Sequence, residues 1–221
     1  MRIYQVIILF LLTICQVSLG QEYRGGISAE FSIAPRIEAE AEIELRRIFY
    51  PGTYINRTFQ GSVSYSFSKS LSADLVYSFA LIDKSGEFSE TDLDNEKSER
   101  SKLALDLQYQ PGRFNNDIRL SNRLRYQYAV VDRDDAPKQV IRERLKIDYK
   151  ISGKMNPYVA IEPYYSLKVN KIKVVRFWLG NEFPLFGTEM ELYYIAEINL
   201  KIDHNTVQYI VGATLKLDFK K

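Results

Sequence analysis

Cysteine is all but missing from this chain, whose only one, Cys15, lies near the amino end. Once the first twenty residues are removed, neither a disulfide nor a thiolate can contribute to fold or chemistry. Histidine is equally scarce, with His204 alone, so a paired-histidine metal site is excluded. Glycine-rich phosphate loops and nucleophile elbows are absent as well. The one sustained apolar run, Val6 to Ile14, is too short for a membrane-spanning helix. Excess charge is also lacking: 30 basic residues face 28 acidic ones, for a formal charge of +2. The basic residues alternate with apolar ones instead of clustering, which argues against a nucleic-acid partner.

The apolar run has the setting of a secretory signal. Arg2 supplies the positive charge, and Ser18 and Gly20 are the small residues before a cut ahead of Gln21. Ile14 stands before Cys15 where a lipoprotein signal needs a small residue, so plain cleavage is expected. The chain therefore divides into a signal peptide, 1–20, and one domain, 21–221.

What the chain does have is aromatic residues, 16 Tyr and 12 Phe, and a period of two. From Asp117 to Lys150 the period is clearest. Ile118, Leu120, Leu124, Tyr126, Tyr128 and Val130 share one face, while Arg119, Ser121, Arg123, Arg125 and Gln127 share the other. A second strand alternates Ile141, Leu145, Ile147 and Tyr149 with Arg142, Arg144, Lys146 and Asp148. Strands this long, oily on one face and ionic on the other, match a barrel with lipid outside and a polar lumen inside.

The same reading gives strands at Gly25 to Ile33, Arg36 to Arg47, Arg57 to Phe67, Leu71 to Ile82 and Arg100 to Tyr109. After the central pair come Pro157 to Leu167, Val174 to Phe183, Thr188 to Lys201 and Thr206 to Phe219. Short connections alternate with longer ones, the longest being the acidic Asp83 to Glu99, and Lys168 to Lys173 also reads as a loop. Aromatic residues gather in two belts. One is formed by Phe31, Phe67, Tyr109, Tyr149, Phe183 and Phe219, the other by Phe59, Phe79, Tyr128, Phe177 and Tyr209. The expected fold class is all-β: a single transmembrane antiparallel β-barrel of 10–12 strands. About eleven segments can be counted, whereas bacterial barrels usually have an even number, so ten or twelve is expected. Asn122 points to the oily face, which calls for a bulge or a partner there.

Ser121 to Gln127, Arg142 to Leu145, Pro157 to Tyr165, Arg176 to Gly180 and Tyr193 to Ile195 resemble a family of small, uncharacterised bacterial outer-membrane proteins, catalogued as a domain of unknown function. The resemblance covers nearly the whole mature chain. It implies a barrel and an address in the outer membrane of a Gram-negative bacterium, with lipid and lipopolysaccharide as surroundings. It brings no catalytic residue.

Function rests on the inward charges. Glu38, Glu40, Glu42, Glu44, Glu189 and Glu191 lie near the two ends of the chain, which closure brings together. Arg119, Arg123, Arg125, Arg142, Arg144 and Lys146 fall midway, on the opposite wall, with Glu162 and Arg176 beyond them. Buried charges must pair. Two outcomes follow: a salt-bridged, structural plug, or a narrow porin-like constriction that sorts small solutes by charge. An outer-membrane enzyme is the alternative, with His204 paired to Asp203 or Asp132 at the extracellular rim, although a solvated loop histidine is the commoner case. Asp92, Asp94 and Glu96 lack the glycine of a calcium loop, and neither metal nor cofactor is expected. A soluble secreted ligand-binding barrel would need the faces reversed.

Overall fold

The structure is a computed structural model that describes residues 21–49, 54–84, 97–112, 117–131, 137–151, 155–200 and 206–219. The proposed signal peptide, His204, and the Asp92 to Glu96 segment lie outside these residues. Eleven strands make up the described chain: β1 Glu22–Ala34, β2 Ile37–Ile48, β3 Tyr54–Ser66, β4 Leu71–Lys84, β5 Lys97–Tyr109, β6 Ile118–Val131, β7 Lys138–Tyr149, β8 Asn156–Ser166, β9 Lys171–Leu185, β10 Thr188–Asn199 and β11 Thr206–Asp218. Each pairs antiparallel with the next, and the sheet closes through β1 and β11.

That closing pair is parallel, running from Glu22↔Ile210 to Glu30↔Asp218. The expectation of an even count is therefore corrected to eleven. In a meander every strand reverses the one before it, so an odd count leaves the first and last strands pointing the same way. Parallel pairing is then the only closure available.

Strand ends run further into several connections than the residue pattern suggested. The β4–β5 ladder extends to Asp83↔Lys97, shortening the acidic loop from both sides. Lys171 to Lys173, read as loop, begin β9, and the connection before it is a turn closed by Asn170 at φ 54°. At the opposite rim, Arg36 takes φ 74° beside Pro35, and Phe186 and Gly187 take 51° and 81° between Leu185 and Thr188. Two successive positive φ angles are those of a type I′ hairpin turn, whose twist matches the strands it joins. We call this end the turn rim and the other the loop rim.

The faces are those the alternation indicated. Leu75 and Leu105 are 55% and 56% exposed on the outside, while Asp106 and Glu162 are 1% and 0% exposed within. This is opposite to the arrangement a soluble ligand-binding barrel requires. Phe31 stacks on Phe219 at 5.3 Å at the turn rim, and Tyr23 meets Phe49 edge-on at 5.5 Å at the loop rim. Phe59 and Phe79 face one another across the β3–β4 ladder near mid-wall, not at a rim.

Asn122 needs neither a bulge nor a second protein. The register of β6 is unbroken on both sides, and Asn122 Nδ2 donates to Glu143 Oε1 at 2.9 Å on the outer face. Beside this pair the β7–β8 ladder skips from Arg142↔Tyr164 to Leu145↔Ile161, passing over Pro163, which has no N–H to give.

Candidate functional site: the charged lumen

Because Cβ atoms alternate across each strand, every second residue of the wall is delivered to the lumen. Towards the turn rim, Lys146 Nζ lies 2.8 Å from Glu182, and Lys216 Nζ lies 3.5, 3.3 and 3.1 Å from Glu182, Glu189 and Glu191. Arg119 Nε donates to both Asp148 oxygens at 2.9 and 3.0 Å. At mid-height, fully buried Glu162 accepts from Arg123 Nη2 at 3.0 Å and Arg142 Nη2 at 2.8 Å. Arg125 grips Asp106 with Nε and Nη2, both at 2.6 Å. Nearer the loop rim, Arg176 pairs with Glu197 at 2.5 Å, Arg24 with Glu22 at 2.6 Å, and Arg46 with Glu44.

These pairs lie within one strand or join strands at most two apart. Closure does bring the acidic strands β2 and β10 to the same sector, separated only by β1 and β11. Yet Arg119, Arg123 and Arg125 of β6 and Arg142 of β7 are neutralised by carboxylates on their own side. The pairing expected across the lumen is replaced by pairing along the wall, because a neighbouring strand lies ~5 Å away and the opposite wall much further.

Aromatic side chains fill what the ion pairs leave. The Tyr158 ring lies over Gly180 on β9 and the Tyr193 ring over Gly212 on β11, places where any larger residue would collide. Tyr158 Oη donates to Glu191 at 2.5 Å. Trp178 rests against Tyr193, with ring centres 5.6 Å apart, and carries the Arg144 guanidinium 4.2 Å above it. Arg142 and Arg176 lie 4.3 and 4.8 Å from the Tyr164 ring.

Two lumen cavities stand out among the described residues. The upper, of about 470 Å³, lies on the loop-rim side and is lined by Glu42, Glu44, Arg125, Arg142 and Arg176, among others. The lower, of about 230 Å³, is lined by Lys146, Glu182 and Lys216. Arg123, Arg144 and Glu191 line both, so the cavities stand back to back across one layer of side chains. Glu38 and Glu40 line neither. Glu40 is nearer the turn rim, in a group with Glu30 and Asp74.

Runs of one charge are conspicuous in the sequence, whereas isolated members of the same face are not. Asp106, Lys102 and Lys216 are among them, each between outward residues, and the alternation itself would have placed them. Trp178 gave no signal of its role. No cluster of His, Cys, Asp and Glu able to hold a metal occurs among the described residues.

The comparisons with known proteins add a family and no activity. No curated protein matches the chain. The model of a family described as a protein of unknown function (DUF2490) matches residues 25–208, from β1 into β11, and the chain belongs to that family.

Proposed function

We propose that the protein is an outer-membrane β-barrel of a Gram-negative bacterium, its outer face in lipid and its lumen a narrow, charge-lined pore for small solutes. What supports membrane placement is the inverted wall. Apolar residues such as Ile43, Leu75, Leu105 and Val159 are half exposed along its outside, a surface far larger than the few hundred Å² of apolar patch that soluble proteins tolerate. The observation that carries the pore reading is the pair of cavities that share Arg123, Arg144 and Glu191 in their linings. Such a shared layer is a constriction at which passage is decided by charge and by the motion of two arginines.

Single-channel recording of the refolded protein in a planar bilayer tests this. Steady openings of low conductance are expected, with an altered current and ion selectivity in Arg144→Ala, which removes one side of the constriction without breaking an ion pair. Silence from a folded, heat-modifiable barrel in both proteins would show a sealed, structural lumen. The membrane address is checked separately, by fractionation of cells expressing the full chain.

A further inference from the structure

The upper cavity is out of balance in charge. Ten cationic side chains line it against three carboxylates; Arg46 is paired with Glu44 within the lining, and the acids just behind it, Glu162, Asp106, Glu197 and Glu22, already accept from Arg123, Arg142, Arg125, Arg176 and Arg24. Lys102 on β5 shares this lining with Arg46 on β2, Arg100 on its own strand, Arg142 on β7 and Arg176 on β9, whose charges act on it. Cations from four separate strands thus converge at one height of the lumen. Like charges in a low-dielectric enclosure repel strongly, and a negative group seated between them would relieve that repulsion.

A second observation concerns hydrogen bonding, not charge. Arg123 Nε, Arg142 Nε, Arg144 Nε and Trp178 Nε1 are buried and find no acceptor among the described residues. All four are donors, and all four belong to residues lining this cavity. Buried donors normally have an acceptor, and going without one costs free energy. Arg144 is held by stacking on Trp178, with no ion pair to a carboxylate among the described residues, so its charge is available to a guest.

We propose that the upper cavity is a binding site for a polyvalent oxyanion, a solute bearing phosphate, sulfate or clustered carboxylate groups, held chiefly by Lys102, Arg142 and Arg144. Planar guanidinium forks suit such groups because two parallel N–H bonds meet two oxygens. The cavity has room for a small polyphosphate or a tricarboxylate, well beyond a single water. The same chemistry is carried by free solutes and by the phosphates of lipopolysaccharide at the membrane surface. The site does not depend on conduction, so it stands or falls separately from the pore.

The test is calorimetric titration of the refolded, heat-modifiable barrel in uncharged detergent with tripolyphosphate and, separately, with citrate. Saturable binding of one probe per barrel is expected, weakened at least tenfold in Lys102→Gln/Arg144→Gln. The same charge change at the turn rim, Lys69→Gln/Lys150→Gln, is expected to leave it unaltered. A parallel titration with lipopolysaccharide micelles separates the two sources: competition with tripolyphosphate would mean that lipid phosphate reaches the cavity, and its absence that the guest is a free solute. No saturable binding to the folded wild type, or equal binding by the Lys102→Gln/Arg144→Gln variant, would overturn the proposal.

Discussion

Glu162 is the residue on which the mid-lumen pairing depends. It is fully buried, and two arginines from different strands donate to one of its oxygens. Removing its charge leaves Arg123 and Arg142 facing each other without a counter-ion, and breaking a buried pair from one side costs about 3–5 kcal/mol. Glu162→Gln is therefore expected to lower the urea midpoint of the refolded protein by far more than Glu189→Gln, whose carboxylate is one of three around Lys216. On the outside, Asn122 and Glu143 form the opposite case, a polar pair on an apolar face. Asn122→Leu takes away the donor and strands the carboxylate, an expected loss of about 1–3 kcal/mol. Asn122→Leu/Glu143→Leu removes both partners and is expected to be at least as stable as the wild type in lipid vesicles. A double variant weaker than the single one would show that the pair serves something other than its own satisfaction.

The strands themselves differ in how firmly they are joined. Ladders β3–β4 and β4–β5 run unbroken along their length, whereas β7–β8 lapses opposite Pro163. Amide exchange is expected to be faster at Glu143 and Arg144 than at the β6 residues beside them, and Pro163→Ala should slow it by supplying the missing donor. Glycines set a second contrast. A methyl at Gly180 would overlap the Tyr158 ring, and one at Gly212 the Tyr193 ring, so Gly180→Ala and Gly212→Ala are expected to cost about 1–3 kcal/mol through overpacking. A methyl at Gly25 meets open space, and Gly25→Ala should gain about 0.5–1 kcal/mol in strand entropy. Thermal unfolding of the three variants checks the order. Such differences mark the limit of what alternation reveals. Period two placed all eleven strands and the face of Arg123, Glu162 and Arg176, because the side chain's direction is fixed by the backbone. It could not show which carboxylate each arginine takes, since Asp106 and Glu42 are equally inward and only register decides. Nor could it show Tyr158 lying over Gly180, a contact between neighbouring strands that no local pattern records.

Parallel closure has a consequence for the molecule as a whole. Glu22 pairs with Ile48 and so begins β1 at the loop rim, while Asp218 pairs with Glu30 near the other end. The first and last strands therefore start and finish at opposite rims, where an even, fully antiparallel barrel would bring both ends of its chain to one. If the barrel takes the proposed outer-membrane placement, with short turns facing the periplasm as outer-membrane barrels have them, the beginning of β1 would lie on the outer surface and the end of β11 on the inner. An epitope tag inserted ahead of Glu22 is expected to bind antibody on intact cells. One placed after Phe219 is expected to bind only after the outer membrane is permeabilised. Both tags reached from the same side would mean that β1 leaves the wall in the membrane. The remaining strands, β2 to β11, number ten and would then close antiparallel, because β2 and β11 run in opposite directions. The lumen would be narrower, and Arg24 and Glu22 would no longer sit at its loop rim. Accessibility of the two ends thus decides between an eleven-stranded wall and a ten-stranded one without requiring that anything pass through the lumen.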